Sequence, residues 1–256
     1  MAKLYTKDNR IQRSWKRCSR FSVFSMRFGY MLFGATLTVA AFFFAERNAF
    51  YLYTAVPLLL LAVVFQLTSV LTARQAAVLS AGVIGENATR QLVRHLPGNY
   101  TAVSNVRIQH DGKTSELDMV VVGPTGVFVI ETKNYTGQIT GRTEDENWKR
   151  VKRTESGQSY SSTFYSPIKQ VATHAYRLSQ FLKSNKLYVW VQGVVYFSDA
   201  SITLKLNGNT KKIPVFRAES KTPYKKNRLL QYIRTFRPQR KLSARTVERI
   251  VRLLRA

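Results

Sequence analysis

Two uncharged apolar runs, Phe28 to Ala45 and Asn48 to Ala73, separated only by Glu46 and Arg47, constrain this chain more than any other feature. They are 18 and 26 residues long, so at about 1.5 Å per helical residue each reaches roughly 27 Å or more, against a hydrocarbon core of about 30 Å. The two-residue interruption permits only a tight turn, which makes the pair a helical hairpin with both ends on one side. Pro57 can kink the second helix and still leave it long enough to span. Lys3, Lys7, Arg10, Arg13, Lys16, Arg17, Arg20 and Arg27 precede the first run, and Arg74 follows the second. The positive-inside rule therefore predicts a multi-pass protein of the cell membrane, with two spans within residues 28–73 and both termini cytoplasmic. A cleavable signal peptide is disfavoured: the basic leader of 27 residues is long for one, and no small-residue cleavage site precedes the second run. Buried helices of a soluble core are disfavoured too, because two adjacent charge-free runs of this length are rare there.

Charge narrows the partners. The 256 residues carry 40 Lys+Arg against 14 Asp+Glu, a net charge of +26. Such a balance predicts an anionic partner, either nucleic acid or acidic lipid headgroups. From Lys205 to Ala256 there are 16 basic and 2 acidic residues. Cys18 is the single cysteine and there are three histidines, which excludes an intrachain disulfide framework and leaves any metal to oxygen ligands. An apolar fraction of 45 % with 12 % aromatics is enough for at least one packed domain.

Between the apolar runs and the basic tail the pattern is mixed α/β. Val78, Ala81, Ile84, Ala88, Leu92 and Leu96 recur at helical spacing between Gln75 and Leu96, and Pro97-Gly98 ends that helix. Three extended segments follow, around residues 101–108, 115–122 and 127–133, joined through Asp111-Gly112 and Pro124-Thr125-Gly126 as an antiparallel meander. Short strands are predicted over 138–141 and 148–152, a Ser- and Tyr-rich loop over 156–166, a helix from Pro167 to about Leu182, and a buried strand over 188–197. Two edge strands, 202–206 and 213–216, and a final helix capped by Ser243 with Val247, Ile250, Val251 and Leu254 in one stripe complete the order. The domains predicted are a basic leader (1–27), two transmembrane helices (28–73), a globular domain (78–200) and a basic C-terminal extension (201–256). Trp148 and Trp190 are expected in the core, His95 and His110 near turns at the surface. Tyr160, Phe164 and Tyr165 suit either base stacking or packing onto the domain.

The stretch that carries chemistry runs from Glu116 to Lys133. A hairpin turning near Thr125 places Asp118 opposite Glu131, with Cβ atoms about 4.5–5.5 Å apart if they pair directly. Glu131 and Lys133 share a face because strand side chains alternate. Two carboxylates and an ammonium at the ends of otherwise apolar strands need compensation, and carboxylates so placed suit a hard divalent cation such as Mg²⁺. The lysine would orient or deprotonate a water, or neutralise charge developing on a phosphate. A simple Lys133–carboxylate pair on a solvated sheet face is the plainer alternative. Gly85-Glu86 adds a third carboxylate on the preceding helix, and Gln170 stands on the following one with His174 a turn further along the same face.

These pieces resemble the nuclease-related domain, NERD, a branch of the restriction-endonuclease-like PD-(D/E)XK superfamily. The resemblance rests on Gly85-Glu86, Glu116-Leu-Asp118, Gly123 through Lys133, Gly137 to Gly141 with Trp148, and Ser166-Pro-Ile-Lys-Gln170, and spans residues 82–198. It implies an αβββαβ core in which Asp118 and Glu131 bind Mg²⁺ (or Mn²⁺) and Lys133 assists the attacking water. Glu86 is then an auxiliary acidic metal ligand and Gln170 a helper. Ser166 stands where the family often has Asn, a departure in loop geometry. The function expected is a membrane-anchored metal-dependent nuclease that hydrolyses phosphodiester bonds, DNA foremost, on the cytoplasmic side. Lys205, Lys211, Lys212, Arg217, Lys221, Lys225, Lys226 and Arg228 are candidates for phosphate contacts. The alternatives are a non-catalytic tethered nucleic-acid-binding protein, and basic segments that bind anionic lipid, with the last helix at the interface.

Overall fold

The computed structural model describes residues 1–7, 9–153, 157–220 and 224–255, with the side chain of Lys225 outside that description. The chain divides into two compact units, Arg10–Val83 and Met1–Asn9 with Ile84–Ala256.

The first unit is a helical hairpin. Helix α1 (Arg10–Glu46) and helix α2 (Ala49–Val93) are both long and apolar enough to cross a membrane by length and composition. Arg47 turns the chain in a left-handed conformation, φ 55°, with its N–H donating to Phe43 O at 2.9 Å. Asn48 Oδ1 accepts from Phe50 N–H at 3.0 Å and so caps α2. Between the helices Ser22 and Ser69 exchange Oγ–H···O=C bonds of 3.1 Å each, and the Phe28 and Phe65 rings meet at 4.8 Å. Small hydroxyl residues at the contact are what helices use where apolar burial alone gives no preference for association. Outward residues such as Leu60 and Leu67 stay 62 % and 60 % exposed. Both helices outrun the charge-free segments. α1 starts at Arg10, inside the basic leader, and α2 passes Pro57 and takes in most of the helix expected to begin separately near Gln75. No Gly or Pro stands between Ala73 and Gln75, so propagation of the helix meets no barrier there.

The second unit is built on two sheets. Strand β1 (Lys3–Thr6), within the leader, pairs in parallel with β2 (Thr101–His110). β2, β3 (Lys113–Gly123) and β4 (Gly126–Lys133) form the antiparallel meander. Asp111 and Gly112, at φ 51° and 69°, form its first two-residue turn, a conformation for which Asp-Gly is well suited. Next come β5 (Gln138–Arg142), β6 (Asn147–Arg153), β7 (Ser159–Tyr165), helix α3 (Pro167–Ser184) and β8 (Val191–Phe197). The chain closes with β9 (Thr203–Asn207), β10 (Val215–Arg217) and helices α4 (Arg228–Thr235) and α5 (Ala244–Arg255). The larger sheet has the order β1-β2-β3-β4-β8-β10 and the smaller β7-β6-β5-β9.

β4 lies between β3 and β8 with both faces covered, which is why Val127-Phe-Val-Ile is continuously apolar rather than alternating. Val127 and Val129 pack in one cluster with Val171, Leu178 and Leu182 of α3 and Ile250 and Leu254 of α5. Phe128 and Ile130 face Leu92 and Val93 of α2 and Leu229, Leu230 and Ile233 of α4. Residues 201–256, expected as an appended basic extension, thus supply strands to both sheets and helices to both faces. Ser243 does cap α5, its Oγ accepting from Thr246 N–H at 3.2 Å. The apolar stripe of α5 is spent on the sheet, which removes the interfacial role considered for it.

Two further expectations are corrected. The Ser- and Tyr-rich segment expected as a loop is strand β7 over residues 159–165 (Ser156 lies outside the described residues), because it pairs along β6 as an edge strand, with only Phe164 of the strand packing inward. The Phe164 ring meets those of Tyr135 and Trp148 at 4.8 and 6.3 Å, whereas Tyr160 and Tyr165 stay exposed. Trp148 is fully buried, but Trp190 is 68 % exposed. Pairing of β8 with β4 begins at Val191, so Trp190 lies beyond the ladder that would have buried it.

Candidate active site

The C-terminal end of β4 carries the site. The register Gly123↔Gly126 and Met119↔Ile130, continued by one residue, sets Asp118 opposite Glu131. Alternation turns Asp118, Glu131 and Lys133 toward the face that α3 covers, together with Val120, Val127 and Val129. Lys133 Nζ donates to Glu131 Oε1 at 2.7 Å and to Gln170 Oε1 at 3.0 Å. Asp118 Oδ2 accepts from Thr132 N–H at 2.9 Å, which ties the two strands together where their ladder ends. Glu131 is 1 % exposed. Its Oε2 lies 3.4 Å from His174 Nδ1, beyond the roughly 2.9 Å of a good hydrogen bond, and has no hydrogen-bond partner among the described residues.

Glu86 enters from α2, buried, its Oε2 accepting from Asn9 Nδ2 at 2.8 Å. Gly85 allows that approach: a Cβ there would lie 2.7 Å from Asn134 Cβ and 3.0 Å from Ser198 Oγ. One turn on, Thr89 Oγ donates to Gly85 O at 3.0 Å and accepts from Thr132 Oγ at 3.1 Å, joining the helix to β4 beside the acidic pair.

Electrostatics divide the two strand carboxylates. Burial, and then the charge of Glu131, push Asp118 well above the usual aspartate range. Burial also acts to raise Glu131, but His174 and the Lys133 ammonium outweigh it and hold that carboxyl below the glutamate range. Burial acts to lower Lys133, yet Glu131 and Asp118 keep it above the usual lysine value. Burial raises Glu86 despite Asn9 and Arg90, with Glu131 adding to the rise.

An acid raised by folding binds protons more readily in the folded state, so it withdraws stability as pH rises from 3.8, the ordinary value, through its raised value. Asp118→Asn keeps an acceptor for Thr132 N–H and removes that loss. Its melting temperature is expected to exceed the native chain's at neutral pH, with the gain shrinking toward pH 3.8. Thermal melts from about pH 4 to about pH 8 check this; an equal or lower melting temperature for the variant at the upper end refutes it.

The structure therefore brings Asp118, Glu131, Lys133 and Gln170 to one place, with Glu86 electrostatically coupled to both strand carboxylates. Asn9 and Thr89 carry no sequence signal for this site. His174 was signalled only by its position one turn after Gln170. Of the basic candidates, Lys205, Lys211, Lys212 and Lys226 are exposed. Arg217 donates to Ile202 O at 2.6 Å and Arg228 pairs with Glu219 at 3.2 Å, so both are partly engaged within the chain. Lys221 lies outside the described residues, as does the side chain of Lys225. Among the described residues no group of three or more His, Cys, Asp and Glu side chains converges on a metal position.

Residues 81–198 match the family model of the nuclease-related domain, NERD, which supports that family for the segment holding Glu86, Asp118, Glu131, Lys133 and Gln170. An uncharacterized protein of Bacillus anthracis is 31 % identical over 128 residues, which are 49 % of this chain and 58 % of that protein. No solved structure matches the chain.

Proposed function

We propose that the chain is a membrane-anchored, metal-dependent nuclease of the PD-(D/E)XK superfamily that hydrolyses phosphodiester bonds of nucleic acid, DNA foremost. The nuclease-related match gives the coarse class, and helix α2, strands β2–β4, helix α3 and strand β8 would form the restriction-endonuclease-like αβββαβ core, with β5–β7 inserted before α3. The observation that carries the reading is half-buried Asp118 set opposite buried Glu131, with Lys133 bridging Glu131 and Gln170.

The donor set fits a hard divalent ion, Mg²⁺ or Mn²⁺. It is all oxygen, and Glu131 Oε2 is buried with no hydrogen-bond partner among the described residues, an open acceptor that would otherwise be costly. Asp118 and Glu131 would hold the ion directly, and Glu86, which does not converge with them on one position and is held by Asn9, would act as the auxiliary carboxylate through the ion's water shell. When bound, such an ion supplies Lewis acidity and an acidified water for attack on phosphorus. Lys133 stays protonated, since its pKa is raised, and so donates to a phosphate oxygen that gains charge rather than taking a proton. Gln170 fixes the ammonium, and the strand ends hold the carboxylates at one spacing. Exposed lysines such as Lys205, Lys211 and Lys212 contribute sequence-independent phosphate contacts. The hairpin of α1 and α2 anchors the protein, and the basic residues flanking it set both termini in the cytoplasm.

The test uses the purified full chain in detergent with linear, circular and single-stranded DNA and with RNA, in Mg²⁺ or EDTA, beside Glu131→Ala. Cleavage that needs both the ion and Glu131 is the expected result, and the preferred substrate form emerges from the same experiment. Salt-sensitive binding with no cleavage by the native, folded chain would replace the reading with that of a tethered nucleic-acid-binding protein.

A further inference from the structure

At the opposite end of β4 lies a second concavity that the acidic site does not use. From Gly126 to Glu131 the strand covers roughly 17 Å at about 3.3 Å per residue, so the two are separate places on the molecule. The pocket, of about 540 Å³, has Gly126 and Leu242 against the sheet and Phe236 as a wall. Phe236 is held edge-on to Phe128 at 5.3 Å, and Leu242 N–H donates to Pro124 O at 3.0 Å, so the inner surface is tied to the core.

Its rim is unusual in two respects. Tyr188 and Trp190, 77 % and 68 % exposed, line it from one side of an extended segment. Arg237, Arg240 and Lys241 line it from the α4–α5 connection. No acidic residue lines the pocket, and none of these three cations is paired with a carboxylate among the described residues. Large exposed aromatics are the informative exception on a protein surface. Beside unpaired cations they match a ligand with a π-face and a phosphate: the rings stack on the base, and the guanidinium and ammonium groups bind the anion.

We propose that this pocket binds a nucleotide unit, base and phosphate together, apart from the Asp118–Glu131 site. Its volume is in the range of small-molecule sites and suits one nucleotide. Concavity argues against a lipid surface as the occupant, since aromatic and basic side chains that enter a headgroup layer do so from a protruding face. A free mononucleotide and the end of a single strand offer the same chemistry, and the experiment separates them. The inference does not rest on the nuclease reading, because the pocket shares no residue with the acidic site.

The native full chain in detergent, kept in EDTA, is titrated with AMP, with a 5′-phosphorylated oligo-dT strand and with inorganic phosphate, following tryptophan fluorescence and, independently, calorimetric heat. Saturable binding of AMP, the strand or both is expected, with emission from Trp190 quenched. Trp190→Ala and, separately, Arg240→Glu with Lys241→Glu should each weaken it about tenfold or more. All three positions are exposed, so the variants should melt as the parent does. AMP binding identifies a free-nucleotide site, and binding of the strand alone identifies a strand-end site. Binding of neither, binding of phosphate as tightly as of AMP, or affinity unchanged in both variants overturns the proposal. Loss of cleavage elsewhere would not touch these outcomes.

Discussion

Lys133→Met is expected to lower metal-dependent cleavage at least about a hundredfold and to lower stability by about 3 kcal/mol at neutral pH. The two effects share one cause. Glu131 is 2 % exposed at its side chain and Lys133 19 %, and Lys133 Nζ is the closest positive group to the carboxylate. Removing the ammonium leaves the buried carboxylate with His174 at 3.4 Å in place of a full ion pair, and an undercompensated buried charge costs more than the pair is worth. A carboxylate held low by its partners gives stability that is present above the ordinary value of 4.5 and lost as acid protonates it. The deficit of Lys133→Met should therefore be largest above that value and narrow below it. Glu131→Gln combined with Lys133→Met should recover most of the stability and none of the cleavage. Thermal melts and cleavage assays on the two single variants and the double variant decide the matter: a double variant no more stable than Lys133→Met alone would show that the buried charge is not what is lost.

The second large effect concerns the C-terminal residues. A chain ending at Ala200 is expected not to form the compact second unit, and Ile250→Asp is expected to do nearly the same within the full chain. Such a truncation removes β9 and β10 from the two sheets, and with them Leu229, Ile233, Ile250 and Leu254, each 2 % exposed or less. These side chains cover both faces of the larger sheet, so β2, β3, β4 and β8 would present apolar residues to water at about 25 cal/mol for each Å² uncovered. The milder Ile250→Ala should cost about 3 kcal/mol. Limited proteolysis and amide exchange in β4 and β8 provide the readout. Native-like protection in the truncated chain would mean that residues 201–256 are an appendage after all.

The candidate site divides along the same line as these two expectations. Asp118 opposite Glu131, and Lys133 on their face, follow from one tight turn and the two-residue alternation of a strand, both of which are local properties of a few adjacent residues. The helical hairpin is equally local, since a long charge-free run can be counted in any chain. Residues far apart in sequence were not accessible in this way. Asn9 reaches Glu86 across 77 positions, β1 joins β2 in parallel with no connecting turn to announce it, and β8 pairs with β4 only after three strands and a helix have intervened. The apolar stripe of α5 shows why. Its spacing marks Val247, Ile250, Val251 and Leu254 as one buried face, but lipid, a partner or the chain's own sheet would satisfy that face equally. Which surface covers it is decided by the packing of the whole unit, because burial is non-directional and a pattern states only that a face must be covered. Turns and alternation carry their own geometry, so the opposed carboxylates could be read in advance; Gln170 and His174 could be named from their shared helix face, but their contacts with Lys133 and Glu131, and the helices packed beside the site, came only with the folded arrangement.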